Sequence, residues 1–344
     1  MMTRIRSVPR RKNNMIKPEF SKVVESILDI GLDWHESDIV KNNIDNIKFI
    51  KKDIRKLDKV KTKSVVIISA GPSLHYSDTL KTLANSNYKG TVVAIDGSYV
   101  KCLKAGIVPD YVLTLDPHPT RMVRWFGDPD FEKNMKNDDY FSRQDLDIDF
   151  RDNSIKQNGE NIDLVNKYAK ETKLIIASTS PSNMVRRSVD AGFDMYWWVP
   201  LVDDPDQKDS LTRKMYQSSK LPAMNTGGNV GTAAWVFSQF WLNIEKVAVI
   251  GMDLGYKKSL PRSMTQTFEE LTTIVGKDNL NDDYFPEFKN PLTGEVFYTD
   301  PTYYWYRKNI MDMINSTNSK LYNCTEGGIL FGPNIECISL ADFL

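Results

Sequence analysis

From Ser64 to Leu115 the chain alternates short β-branched runs with helix-length segments, and that alternation leaves few folds open. SVVIISA (64–70) leads into Gly71-Pro72-Ser73 and a helix near 77–86. TVVAI (91–95) ends at Asp96-Gly97 before a helix near 98–105, and YVLTL (111–115) ends at Asp116-Pro117. Strands separated by single helices pair in parallel through right-handed crossovers. Strand character returns at KLIIAS (173–178), MYWWVPLV (195–202), KVAVIG (246–251) and KLYNCTEGGIL (320–330). The predicted class is therefore α/β, a Rossmann-like, mostly parallel sheet with flanking helices.

A helical N-terminal segment is expected over residues 1–60, because Phe20, Val23, Ile27 and then Ile39, Ile44, Ile47, Ile50 and Ile54 recur at helical spacing, with a break near Gly31–Asp38. The remainder, 61–344, reads as one Rossmann-like domain. Two polar stretches interrupt it, near 127–170 (a flap with short helices) and near 257–300 (irregular, with the reach of a lid). PTYYWYRKNIMDMINS (301–316) reads as a helix with Pro301 early in its first turn.

Composition narrows the partners. Lys plus Arg equals Asp plus Glu at 45 each, which disfavours a nucleic-acid binder. Cys102, Cys324 and Cys337 are sparse, odd in number and without metal-type spacing, which suits a reducing compartment and a cytoplasmic location. No apolar run approaches the ~20 residues of a transmembrane helix. Arg4, Arg6, Arg10, Arg11 and Lys12 make the N-terminus basic, the mark of a frayed tail or, alternatively, of a contact with an anionic membrane or partner. A homo-oligomer is compatible with the chain.

In a parallel sheet the strand tips and following helix N-termini share one rim, where ligands bind. Gly71, Pro72 and Ser73 form one such turn, able to bring backbone amides and a hydroxyl to a phosphate; an ordinary tight turn explains the same residues. Asp96 sits where nucleotide folds place a ribose-binding carboxylate. Asp116 is a candidate for orienting ribose or holding a metal, and His118 for a general acid or base, against the alternative of a loop histidine. In TGGNVGTAA (226–234) Thr226, Gly227 and Gly228 make a turn, Asn229 caps a helix, and Gly231 lets that helix approach the sheet. VAVIGMDLGY (247–256) delivers Asp253 to a strand tip, a second candidate for Mg²⁺. Glu326, before Gly327-Gly328, is a base, a metal ligand or a solvated turn residue. Tyr303, Tyr304, Trp305 and Tyr306 divide between core and a hydroxyl-bearing wall.

AGPSL (70–74), AIDGS (94–98), AGIVPDYVLTLDPHP (105–119), TGGNVGTAA, VAVIGMDLGY and YNCTEGGILFGPNIECISLADFL (322–344) together resemble the motility accessory factor (Maf) and 6-hydroxymethylpterin diphosphokinase MptE-like family. The resemblance implies a Rossmann-like nucleotide-dependent transferase. One branch implies a glycosyltransferase using a CMP-activated nonulosonic (sialic-acid-like) sugar. The other implies a pterin diphosphokinase using ATP and Mg²⁺. A non-catalytic nucleotide-binding protein is the third reading. The expected ligands are a nucleotide donor, CMP-sugar or ATP, with Mg²⁺ in the kinase case, and a hydroxyl acceptor on a glycan, a protein or a pterin.

Overall fold

A computed structural model of the chain describes residues 18–135 and 148–344. The basic N-terminal cluster lies outside the described residues. Nine strands form one sheet: β1 (Ser64–Ile68), β2 (Thr91–Ile95), β3 (Tyr111–Leu113), β4 (Lys173–Ala177), β5 (Asp194–Leu201), β6 (Ala223–Asn225), β7 (Lys246–Ile250), and later β11 (Leu321–Asn323) and β12 (Ile335–Cys337). Their order is β12-β11-β7-β1-β2-β3-β4-β5-β6, and every pairing is parallel.

The apolar runs explain why these segments are strands. Val65 to Ile68 are all fully buried, with Val66 and Ile68 in one core layer and Val65 and Ile67 in the other. A strand buried on both faces needs a continuous β-branched run and helices on both sides. One layer packs Ile39, Leu83, Tyr99, Leu103, Val165, Met184 and Met215 against the sheet, and the opposite layer packs Ala233, Ala234, Trp235, Ile310 and Ile314. The crossover between β3 and β4 includes the 21-residue helix Ile148–Tyr168, where the sequence suggested only short helices. No helix among the described residues is long and apolar enough to cross a membrane.

The sheet reverses its direction of growth at β1. From there the chain adds β2 to β6 on one side, then returns to place β7 on the other. Such a switch point opens a crevice beyond the strand carboxyl ends.

The N-terminal helix differs from expectation. It runs unbroken as Pro18–Asn46, so Gly31 does not end it. An interior glycine costs about 1 kcal/mol, and without a proline nothing forces a stop. The last turns of this helix are stitched to the loop after β4. Asn42 Nδ2 donates to Thr179 O at 2.9 Å, and Asn46 Nδ2 donates to Ser178 O at 2.9 Å and Ser180 O at 2.7 Å. Asn46 is 1% exposed, so its loss strands two buried carbonyls. Asn46→Ala is expected to destabilise the protein by about 2 kcal/mol, read as a lower urea midpoint with an unchanged m-value; an unchanged midpoint would show the stitch to be dispensable.

Residues 257–300 are also more ordered than their composition suggested. β8 (Tyr256–Lys257), β9 (Glu287–Lys289) and β10 (Val296–Tyr298) form an antiparallel sheet ordered β8-β10-β9. With helix Phe268–Val275 it closes over Tyr256, Leu271, Phe285 and Tyr298, a small core that Val23 of the N-terminal helix joins.

Candidate functional site

A cleft of about 1900 Å³ opens along the carboxyl ends of the parallel strands. Gly71, Pro72, Asp96, Asp116, His118, Thr226, Gly227, Gly228, Asn229 and Asp253 all line it. Residues from five distant stretches of the chain thus meet at one rim. Ser73 and Glu326 are not in the lining.

Ser73 is fully buried and faces Asp253 instead. Asp253 Oδ2 accepts from the Ser73 hydroxyl at 2.7 Å and from the Ser73 amide at 3.2 Å, while Oδ1 accepts from the Tyr76 hydroxyl at 3.2 Å. The Gly71 amide donates to Gly251 O at 2.8 Å. A Cβ on Gly71 would stand 2.2 Å from Asp253 Oδ2 and 2.5 Å from Gly251 O, so glycine is required by the closeness of the β7 tip. The sequence suggested that the Ser73 turn and Asp253 would each hold ligand. In the structure they hold each other, and the carboxyl group at the start of helix Ser73–Tyr76 is the protein's own. Asp253 is 2% exposed, and burial raises its carboxyl pKa to about 6, with the Ser73 and Tyr76 hydrogen bonds opposing that rise.

This bears on the metal that the kinase branch implies. Asp253 is 2% exposed and its carboxylate already accepts three hydrogen bonds from Ser73 and Tyr76, so it is poorly placed to ligate Mg²⁺. Asp116 is half-buried in the cleft wall, and its Oδ1 accepts from the His118 amide at 2.8 Å. Among the described residues no group of three or more His, Cys, Asp or Glu side chains is gathered for a metal ion.

His118 caps helix Pro119–Arg124, with Nδ1 accepting from the Thr120 amide at 3.4 Å and paired with the Thr120 hydroxyl at 3.0 Å. Asp96 is the first residue of helix Asp96–Lys104, 2% exposed, with Oδ1 accepting from the Gly97 amide at 2.7 Å. Glu326 sits elsewhere at φ +55° and accepts from the Leu340 amide at 2.9 Å, tying the C-terminal turn.

The double glycine before helix Val230–Val236 has a packing cause. Gly227 and Gly228 have φ of +54° and +89°, and a Cβ on Gly228 would lie 2.0 Å from the Trp305 ring. The turn satisfies its own amides: Gly227 N donates to Asn225 Oδ1 at 3.0 Å and Gly228 N to Thr226 Oγ1 at 3.1 Å. Asn229 caps the helix, with Oδ1 accepting from Thr232 N at 2.9 Å.

Two features of the wall go beyond the sequence reading, which had Tyr303, Trp305 and Tyr306 only as candidates. One is a buried network on helix Pro301–Ser316, capped by Asp300. Asp300 Oδ1 accepts from Tyr303 N at 2.8 Å, Oδ2 accepts from the Tyr256 hydroxyl at 3.0 Å, and the Tyr303 hydroxyl donates to Gln266 Oε1 at 2.7 Å. Burial holds the Asp300 carboxyl above the usual carboxylate range. Tyr303 stacks on Tyr256 at 5.2 Å between centroids, which makes a rigid aromatic wall beside Trp305 and Tyr306. The signal was present in Asp300-Pro301, an N-cap followed by proline, but its Tyr256 partner lies on another element. The second part is the pair His75 and Lys101, for which neither residue carried a motif.

The sequence model of the 6-hydroxymethylpterin diphosphokinase MptE-like family matches residues 41–135. The 6-hydroxymethyl-7,8-dihydropterin pyrophosphokinase of Methanocaldococcus jannaschii is 28% identical over 172 residues, covering 48% of this chain and 60% of that protein. The MAf glycosyltransferase from Magnetospirillum magneticum AMB-1 superposes with a TM-score of 0.54 at 14% identity, covering 89% of this chain and 39% of that one. Over residues 41–135 the chain is similar to the MptE-like family. In MptE-like terms, the matched segment 41–135 spans β1 to β3 and the GPS, DGS and DPHP turns, one half of the cleft rim. The glycosyltransferase likeness extends the shared fold to the other half. The chain spans less than two thirds of either relative's length.

Proposed function

We propose that this chain is a transferase that binds a nucleotide donor in the strand-tip cleft, and that the donor is a CMP-activated nonulosonic sugar. The observation that supports it is the convergence of the GPS, DGS, DPHP and TGGN turns on a single cleft at the β1/β7 switch point. At about 1900 Å³ the cleft exceeds the roughly 300–1,000 Å³ of common small-molecule pockets. That leaves room for a nucleotide-sugar and a bulky hydroxyl acceptor together. In this reading the acceptor oxygen attacks the anomeric carbon, the bond from that carbon to the phosphate oxygen breaks, and CMP leaves with the electron pair. His118 takes the acceptor proton, and Asp116 holds the His118 backbone through its amide.

A second reading, diphosphate transfer from ATP to a pterin hydroxymethyl group, is favoured by the 28% identity to the archaeal pyrophosphokinase. There the cation would be held by Asp116 and substrate phosphates, since Mg²⁺ commonly takes one or two carboxylates and phosphate oxygens. The engagement of Asp253 by Ser73 and Tyr76 weighs toward the metal-independent sugar transfer.

Thermal shift with CMP, CTP, ATP and GDP, each with and without Mg²⁺, separates these readings. A ligand at 100 times its Kd adds about 2.7 kcal/mol to the state it binds. The expected result is stabilisation by CMP without Mg²⁺, lost in Asp116→Asn. Stabilisation by ATP only with Mg²⁺ would favour the kinase, and no shift with any nucleotide would remove both.

A further inference from the structure

At one end of the cleft two nitrogen bases face each other. His75 Nε2 and Lys101 Nζ lie 2.9 Å apart, and both residues line the cavity next to Gly71 and Gly97. A contact that short between two nitrogens is a hydrogen bond with one proton shared across it, so the pair carries one positive charge fewer than two full cations. Lys101 is half-buried and forms no ion pair with any described residue, an unusual state for a lysine held in a wall. A cation of this kind with no carboxylate is suited to an anionic ligand.

We infer that His75 and Lys101 form an anion subsite of the cleft, which receives a phosphate or carboxylate oxygen and takes up a proton on His75 as it does so. This rests on reading the cleft as the site of a phosphorylated donor and specifies where that charge goes. The GPS turn does not supply that charge contact, because its serine is committed to Asp253. The pair sits on two short-range supports: His75 on the turn after β1, and Lys101 on helix Asp96–Lys104 after β2.

The surroundings favour this division. Lys104, one turn along the same helix, is paired with Glu160 at 3.5 Å and Gln157 at 3.0 Å from helix Ile148–Tyr168, so its charge is spent outside the pair. Arg124, on the helix after β3, also lines the cleft. Asp96 opens the Lys101 helix and is turned to the Gly97 amide. Asp253 is closed off behind Ser73, and Cys102 is fully buried beside Lys101. Desolvation lowers the pKa of His75, with Lys101 adding to the effect, and desolvation lowers that of Lys101. His75, held neutral beside the Lys101 ammonium, is therefore the group placed to gain a proton when negative charge arrives.

Calorimetric titration of inorganic diphosphate and of CMP into the full chain tests this, run near neutral pH in two buffers of different ionisation enthalpy. The wild type should bind diphosphate with net proton uptake. Lys101→Met should weaken diphosphate and CMP by ~10-fold to ~100-fold, the range for losing a charged hydrogen bond, while leaving cytidine unchanged. Lys101→Arg should restore most of the loss, which separates a charge effect from misfolding. His75→Gln should keep binding at alkaline pH and lose the proton uptake. Equal diphosphate affinity in wild type and Lys101→Met overturns the subsite, and if CMP still binds, the reading of the cleft survives. Failure of the wild type to bind either diphosphate or any nucleotide overturns both.

Discussion

Gly71→Ala is expected to cost about 3 kcal/mol of stability, the upper range for overpacking, and to abolish the nucleotide binding proposed for the cleft. The added methyl group meets Asp253 Oδ2 at 2.2 Å and Gly251 O at 2.5 Å. The second contact is backbone at the tip of β7, which cannot rotate away. Relief requires β1 and β7 to separate where Ser69 N donates to Ile250 O at 2.9 Å and Gly71 N to Gly251 O at 2.8 Å. The switch point itself would open, and the Ser73–Asp253 pair with it. Urea unfolding and a CMP titration on the same preparation check this. Gly159→Ala is the internal control, because nothing lies within 4 Å of a Cβ there and the site is helical; it should raise stability by about 0.5–1 kcal/mol. A Gly71→Ala protein as stable as wild type would mean that the turn is not held against β7 as described.

The second large effect concerns Asp253 and pH. Its folded pKa, about 6, lies above the ordinary 3.8, so the folded state holds a proton that the unfolded chain has already released. Stability linked to this group is fully present below pH 3.8 and is lost as pH rises through about 6. The loss amounts to roughly 3 kcal/mol across that window. Asp253→Asn should remove this slope. Its Oδ1 can accept from the Ser73 amide and hydroxyl, and its Nδ2 can donate to the Tyr76 hydroxyl oxygen. At about pH 8 the variant should therefore be at least as stable as wild type. Asp253→Ala should instead lose about 2–4 kcal/mol by leaving buried donors unpaired. Urea midpoints of all three proteins from about pH 4 to about pH 8 decide the matter. A uniform loss in Asp253→Asn, with the wild-type slope retained, would mean that the carboxylate is charged and that its pairing with Ser73 is the stabilising term.

Much of the architecture was legible because it is a local pattern. A five-residue run such as Ser64–Ile68, buried on both faces, needs β-branched residues at consecutive positions, and that demand is written in order along the chain. The same holds for β2, β4 and β7 and for the helix start at Pro301. β6, β12 and the three strands of the antiparallel sheet were missed, because elements of two or three residues are too short to carry a period. The break expected at Gly31 was wrong because packing of a long helix outweighs one glycine.

The candidate site divides the same way. That the strand tips and their turns would share a rim followed from parallel pairing, and Gly71, Asp96, Asp116, Gly228 and Asp253 do line one cleft. What each side chain does there was not legible. Ser73 and Asp253 are 180 residues apart and meet only because β7 inserts beside β1. Gly228 owes its identity to Trp305, and His75 found Lys101 across two helices. Periodicity along the chain encodes burial, which is a property of each segment. Hydrogen-bond partners depend on strand order and on the closeness of neighbouring backbones, and those exist only once the chain has closed on itself.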